Sequence, residues 1–246
     1  MDKYGIIGNP LGHSFSRGFF TEKFAREGID AQYLNFQIPE IKLLPEVLKE
    51  NPELRGLNVT LPYKREVIPF LDELSEEARE IGAVNVIRCT MDNGRWTMKG
   101  FNSDIIGFTE SIKPLLKPHH KKALILGTGG ASRAICVGLN RLGLEWKYVS
   151  RTPHEGMFTY NDITAETLKE YEVIVNCSPV GMYPKVDECP AIPYEYLTPD
   201  NLLFDLVYNP EITLFMKKGT LQGATVKNGL EMLHLQAIAS WNFWNE

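Results

Sequence analysis

Hydrophobic and polar positions change period repeatedly along the chain, and each change marks a new element. Residues 3–8 (KYGIIG) form an apolar run closed by Gly8-Asn9-Pro10, which predicts a strand and a turn. Phe19, Phe20, Phe24 and Ala25 then recur at helical spacing, with Ser14 or Ser16 placed to cap and Gly28 to stop the helix. Residues 32–38 alternate as a strand does, and 40–50 read as helical with Pro45 at a break or a new first turn. A strand over 55–61, a helix over 72–82 ending on Gly82, and two strands around Asp92-Asn93-Gly94 complete this half. That last tripeptide is a strong hairpin signal.

The alternation restarts after residue 120. Strands are predicted at 122–127, 147–151, 173–179, 202–209 and 224–229. Helices fall at 129–143, 164–171, 211–219 and 230–244, the first with Ala134, Ile135, Gly138, Leu139 and Leu142 on one face. Strand–helix alternation of this kind predicts an α/β protein with mainly parallel sheets. We divide it into an N-terminal α/β domain (1–103, with 229–246 returning to it) and a second domain over 104–228.

Composition narrows the partners. The chain has 246 residues, a net charge of −5 and 43% apolar residues. It shows no concentrated basic face for nucleic acid and no apolar run of membrane-spanning length. The N-terminus lacks a secretory core, and Cys89, Cys136, Cys177 and Cys189 have neither zinc nor redox spacing. A cytoplasmic protein with reduced thiols, no metal and a small-molecule ligand is expected, as monomer or homodimer.

Residues 124–134 (LILGTGGASRA) read strand, glycine-rich turn, helix. Gly127, Gly129 and Ser132 have the spacing of a dinucleotide fingerprint, with Thr128, Gly130 and Ala131 between them. Gly127 permits the tight turn, Gly129 lets backbone approach a pyrophosphate, and the helix start offers free N–H groups. An NAD site usually carries an acid at the end of the next strand. Here Ser150, Arg151 and Thr152 stand there, and a guanidinium suits a 2′-phosphate. NADP is expected over NAD, with NAD as the alternative.

A dinucleotide implies hydride transfer, so the first domain must hold the substrate. Its polar residues at strand ends are Ser14, Ser16, Asn58, Thr60, Lys64, Asn85 and, at the junction, Asp104. Singly, the serines and Asp104 read equally as helix caps, Asn85 as a turn residue and Lys64 as a surface charge. Their convergence on strand ends, where open α/β sheets bind ligands, carries the chemical reading.

The ordered pieces GNPLGHSFS, NVTLPYK, GAVN, GFNSDIIG, GTGGAS, SRT, NCSPVGM, DLVYNPEIT and NGLEMLHLQA resemble shikimate dehydrogenase over nearly the whole chain. The resemblance implies a Rossmann-type NADP domain and reduction of 3-dehydroshikimate by NADPH, on the route to aromatic amino acids. It implies that Ser14, Ser16 and Tyr208 hold the substrate carboxylate. Asn58, Thr60, Asn85 and Gln236 bond ring hydroxyls, and Lys64 and Asp104 flank the reacting oxygen. Ser178, Leu206 and Gly229 join the cofactor set. Either Lys64 or Asp104 is the formal proton donor.

The chain departs from that family in several places. Ser16-Arg17 replaces Ser-Pro. The segment from Thr152 to Val173 is short, its usual helix and strand mostly replaced by PHEGMFTYND. A second phosphate-binding arginine has no counterpart unless His154 serves, and no final helix follows Trp244. The rival readings are a quinate/shikimate dehydrogenase using NAD, a non-catalytic shikimate-binding sensor, and a methyltransferase with the same glycine turn. The retained Lys64–Asp104 pair opposes the sensor, and Ser150-Arg151 opposes the methyltransferase.

Overall fold

The computed structural model describes residues 1–12 and 15–246. Contacts divide the chain into two compact units, residues 1–103 with 236–246, and residues 104–235. This division and the expected one differ over residues 229–235.

The first unit contains β1 (Asp2–Gly8), α1 (Phe15–Glu27), β2 (Ala31–Gln37), α2 (Leu44–Glu50), β3 (Leu54–Val59), β4 (Glu73–Leu74), α3 (Glu76–Ile81), β5 (Val86–Asp92) and β6 (Arg95–Phe101). Its sheet has the order β2-β1-β3-β5-β6-β4. The β1–β2, β1–β3 and β4–β6 pairs are parallel, while β3–β5 and β5–β6 are antiparallel. Asn93 at φ 48° and Gly94 at φ 79° make the turn between β5 and β6, the left-handed pair that a two-residue hairpin needs. α1 runs unbroken through Arg17.

Two predicted helices of this unit are shorter than their apolar patterns. Ser75 accepts a hydrogen bond from the Ala78 amide at 3.1 Å, which starts α3 there and leaves Glu73 and Leu74 outside. Those two residues pair with Lys99 and Gly100 instead, held by Asp72, whose carboxylate accepts from the Met98 amide at 2.7 Å. Pro45 stands in the first turn of α2, after a separate single turn at Ile41–Leu43.

The second unit contains α4 (Asp104–Ile112), β7 (Lys122–Leu126), α5 (Ser132–Arg141), β8 (Glu145–Ser150), β9 (Phe158–Thr159), α6 (Ala165–Glu170), β10 (Val173–Asn176), β11 (Leu202–Asp205), α7 (Leu214–Leu221) and β12 (Thr225–Lys227). α8 (Leu230–Trp244) begins in this unit and ends in the first. The sheet order is β12-β11-β10-β7-β8-β9, with every pair parallel. Counted along the chain that is 6-5-4-1-2-3, the doubly wound order whose direction reverses beside its first strand. Ile125, Val173, Val175 and Phe204 pack on one face with α4 and α5, while Leu124, Leu126, Ile174 and Leu203 pack on the other. Both faces are buried, so the strands read as continuous apolar runs.

The short segment after Thr152 retains more than its sequence suggests. Phe158 and Thr159 pair with Val149 and Ser150, so the third strand of the sheet survives as two residues. Gly156 turns the chain at φ 77°, and the Thr159–Asp162 pair, bonded at 2.7 Å, fixes the exit. The connecting helix is what the segment lacks; 153–157 contain no helix.

Candidate active site

At the exit of β3 a buried amide network gathers several of the expected residues. Asn58 Oδ1 accepts from the Tyr33 phenol at 2.7 Å, and its Nδ2 donates to Ser240 Oγ at 2.9 Å. Ser240 donates to the Gln236 carbonyl at 2.8 Å, one turn back along α8. Asn85 donates to Ser103 Oγ at 3.0 Å and accepts from the Ser103 amide at 2.7 Å. The two serine hydroxyls lie 3.4 Å apart, which joins the halves. Burial pushes the Tyr33 phenol well above its usual range, opposed by a hydrogen bond from Ser16. Ser16, Asn58, Asn85 and the backbone of Gln236 therefore share one network whose rotamers are fixed before any ligand arrives. Ser14 lies outside the described residues.

Thr60 and Lys64 follow on the same strand exit. The Thr60 amide donates to the Ile7 carbonyl at 2.9 Å, and its carbonyl accepts from Tyr63 at 2.9 Å. Lys64 is half-buried on the turn. Its carbonyl accepts from the Val84 amide at 2.7 Å. Tyr63, 2% exposed, anchors the preceding position through its hydroxyl to the Ile38 carbonyl at 2.6 Å. The ammonium thus springs from backbone pinned on both sides. Asp104 is 4% exposed and opens α4 in the second unit, at the helix end where a carboxylate is favoured.

The second unit holds an open cleft of about 400 Å³ at the C-terminal ends of β7, β8 and β10, where the strand order reverses. Gly127, Thr128, Gly129, Ser150, Arg151, Thr152 and Ser178 line it, joined by His154, Tyr160 and Cys177. Gly127 has φ 104° and lies against Ser178, so an added Cβ would sit 3.3 Å from that residue's backbone nitrogen. Gly129 has nothing within 4 Å of its Cβ position and presents bare backbone to the cleft. Ser132 folds the turn back, its amide and hydroxyl both donating to the Gly129 carbonyl at 3.0 and 2.7 Å. Gly130 and Ala131 lead from the cleft into α5.

Arg151 is exposed at the lip, and its charge opposes the upward push that burial gives the Tyr160 phenol. The half-buried Cys177 thiol is held well above its usual range, chiefly by desolvation, which leaves it a poor nucleophile. Leu206 and Gly229 are not among the residues lining this cleft. They meet each other beyond β11, where an added Cβ on Gly229 would run into the Leu206 carbonyl. Tyr208 is 36% exposed on the loop after β11.

Sequence reasoning missed Tyr33, Ser103 and Ser240. The only available signals were Ser240 lying four residues after Gln236 and Ser103 standing beside Asp104. Tyr33 on an alternating strand is indistinguishable from core.

Residues 6–87 match the family model of the shikimate dehydrogenase substrate binding domain. A relative from Halothermothrix orenii, named shikimate dehydrogenase (NADP(+)), is 38% identical over 267 residues, covering 98% of this chain and 89% of its own. One of the same name from Desulforamulus reducens is 33% identical over 266 residues, covering 98% and 88%. The chain belongs to the shikimate dehydrogenase family. A solved shikimate dehydrogenase from Thermus thermophilus, in complex with NADP(H) and shikimate, matches with a TM-score of 0.84 at 32% identity, covering 99% of this chain and 93% of its own. The two-domain α/β fold of shikimate dehydrogenase, with its Rossmann-type second domain, is the fold described above.

Proposed function

We propose that this chain catalyses the reversible reduction of the 3-dehydroshikimate ring ketone to the shikimate alcohol with NADPH. The carrying observation is a fixed amide network at one strand exit, in a chain that also has an open glycine turn with an arginine at its lip. That turn fits a dinucleotide: Gly129 leaves room for a pyrophosphate, and Ser150, Arg151 and Thr152 offer cation and hydroxyls to a 2′-phosphate. Bound NADPH supplies the hydride equivalent to the carbonyl carbon.

The chain's own residues do the rest. Lys64 offers an ammonium where alkoxide charge develops on the reacting oxygen, and either it or Asp104 delivers the proton. In this reading Asp104 serves either to hold and polarise the amine or to relay the proton. Ser14, Ser16 and Tyr208 grip the carboxylate, while Asn58, Thr60, Asn85 and Gln236 read the ring hydroxyls. Asn58 and Asn85 are suited to this because their amide planes are already locked by Tyr33, Ser103 and Ser240. Four free cysteines accord with work in a reducing cytoplasm. Among the described residues no helix is long and apolar enough to cross a membrane.

Nicotinamide deuterated at its transferable position tests the reading. Product should carry deuterium on the former carbonyl carbon, with none gained from deuterated solvent at that carbon. Deuterium arriving from solvent would contradict direct transfer.

A further inference from the structure

Asp205 closes β11, is wholly buried, and has no part in the chemistry above. One oxygen accepts from Asn176 Nδ2 at 2.9 Å and from the Val207 amide at 3.1 Å. The other accepts from Thr213 Oγ1 at 2.7 Å. Each donor belongs to a different segment. Asn176 closes β10, and its own Oδ1 accepts from the Ser178 hydroxyl at 2.7 Å and the Ser178 amide at 3.1 Å. Val207 lies on the loop that carries Tyr208. Thr213 caps α7, accepting from the Met216 amide at 3.3 Å. One carboxylate therefore ties together two loops and a helix start. The Tyr183 amide, donating to the Asn209 carbonyl at 3.0 Å, links the same two loops further out.

This arrangement suits the anion best. Three donors converge on it, and protonation would strip the charge from the bonds of Asn176 and Val207 and reverse that of Thr213, whose hydroxyl would then have to accept. The charge is costly where it stands. Burial raises the Asp205 pKa to about 6, against the pull of its bonds to Thr213, Val207 and Asn176. A native pKa above the unfolded one means that this group's ionisation lowers fold stability as pH rises from the ordinary aspartate range through about 6. Stability does not explain such a group, but geometry does.

We propose that Asp205 is a positioning residue for the glycine-turn cleft: its carboxylate, acting through Asn176, sets the loop that presents Ser178, and so couples dinucleotide grip to its own ionisation. The proposal rests on reading that cleft as the dinucleotide site. The titratable groups that feel Asp205 are Cys177 on the same loop and Tyr194; both are pushed upward by burial first and by this charge last or nearly so. Both stay neutral across the acidic range.

Calorimetric titration of the full chain with NADP⁺ and with NAD⁺, from about pH 5 to about pH 8, tests this. Wild type should lose about tenfold in affinity for both dinucleotides as pH falls through the Asp205 range, the worth of one charge-assisted hydrogen bond. A loss seen with NADP⁺ alone belongs to the 2′-phosphate or His154 and overturns the proposal. Thr213→Val removes one donor and should move the midpoint up by about one pH unit, while Thr213→Ser restores it. Asp205→Asn should bind weakly with no midpoint in that range. Circular dichroism at each pH confirms that the variants compared are folded, and Asp205→Asn decides the matter if Thr213→Val is not. An unmoved midpoint in folded Thr213→Val, or a wild-type profile in Asp205→Asn, refutes the role. Wild type that binds neither dinucleotide at any pH overturns the dinucleotide reading itself.

Discussion

Lys64→Ala is expected to lower kcat by roughly two to four orders of magnitude, the range for a positioned proton donor, while the fold stays intact. The fold expectation follows from where the side chain stands. Lys64 is half-buried on a turn, and the turn is held by the Val84 amide on the Lys64 carbonyl and by the buried Tyr63. None of these bonds uses the lysine side chain. The rate expectation follows from charge: hydride arrival makes the ketone oxygen basic, and without the ammonium that oxygen loses the cation that stabilises its charge and one of its two candidate proton donors. KM for shikimate should change far less than kcat, because the amide network that reads the ring remains complete. Steady-state rates with shikimate and NADP⁺, alongside thermal melts of both proteins, measure this. Turnover within a few-fold of wild type would remove Lys64 from the chemistry.

The second large effect concerns the cofactor. Arg151→Ala is expected to weaken NADPH by about 10- to 100-fold and NADH by less than about threefold, as loss of a charge-assisted, bidentate contact requires. Arg151 follows directly on the second strand of the doubly wound sheet and lines the cleft with Ser150 and Thr152. The Thr152 amide donates to Ser150 Oγ at 3.2 Å, which gives the strand end a fixed shape. Among the described residues, His154 is the one further basic side chain lining the same cleft. The selectivity therefore rests mainly on a single guanidinium, and its removal should nearly erase the preference. Equal losses for the two cofactors would refute the 2′-phosphate assignment.

Much of this architecture could be read from the sequence, for physical reasons visible in particular residues. The second sheet was legible because its strands are buried on both faces and its glycine turn follows β7 directly. The hairpin was legible because Asn93 and Gly94 adopt a conformation that few other pairs accept. Elements decided by side-chain bonds across the fold were not. β4 exists because Ser75 caps α3 and Asp72 reaches Met98, and neither bond has a sequence period. β9 survives in two residues because β8 offers it an edge, within a segment whose composition reads as loop.

The site divides in the same way. Asn58, Lys64, Asn85 and the glycines were legible as candidates because they lie in short motifs. Tyr33, Ser103 and Ser240, which hold the asparagines in place, come from a strand, a junction and a helix far apart in the chain. Asp205 was legible only as part of a family motif. Its bonds to Asn176 and to Thr213 join residues 29 and 8 positions away.

The central claim is that this chain exchanges hydride between NADP and the shikimate ring. The most direct test follows reduced-nicotinamide absorbance with purified protein and four pairings: shikimate or quinate, each with NADP⁺ or NAD⁺. The account predicts the fastest rise with shikimate and NADP⁺. No rise in any pairing, with shikimate still bound, would leave a binding protein in place of an enzyme; quinate with NAD⁺ in first place would overturn both the substrate and the cofactor assignments.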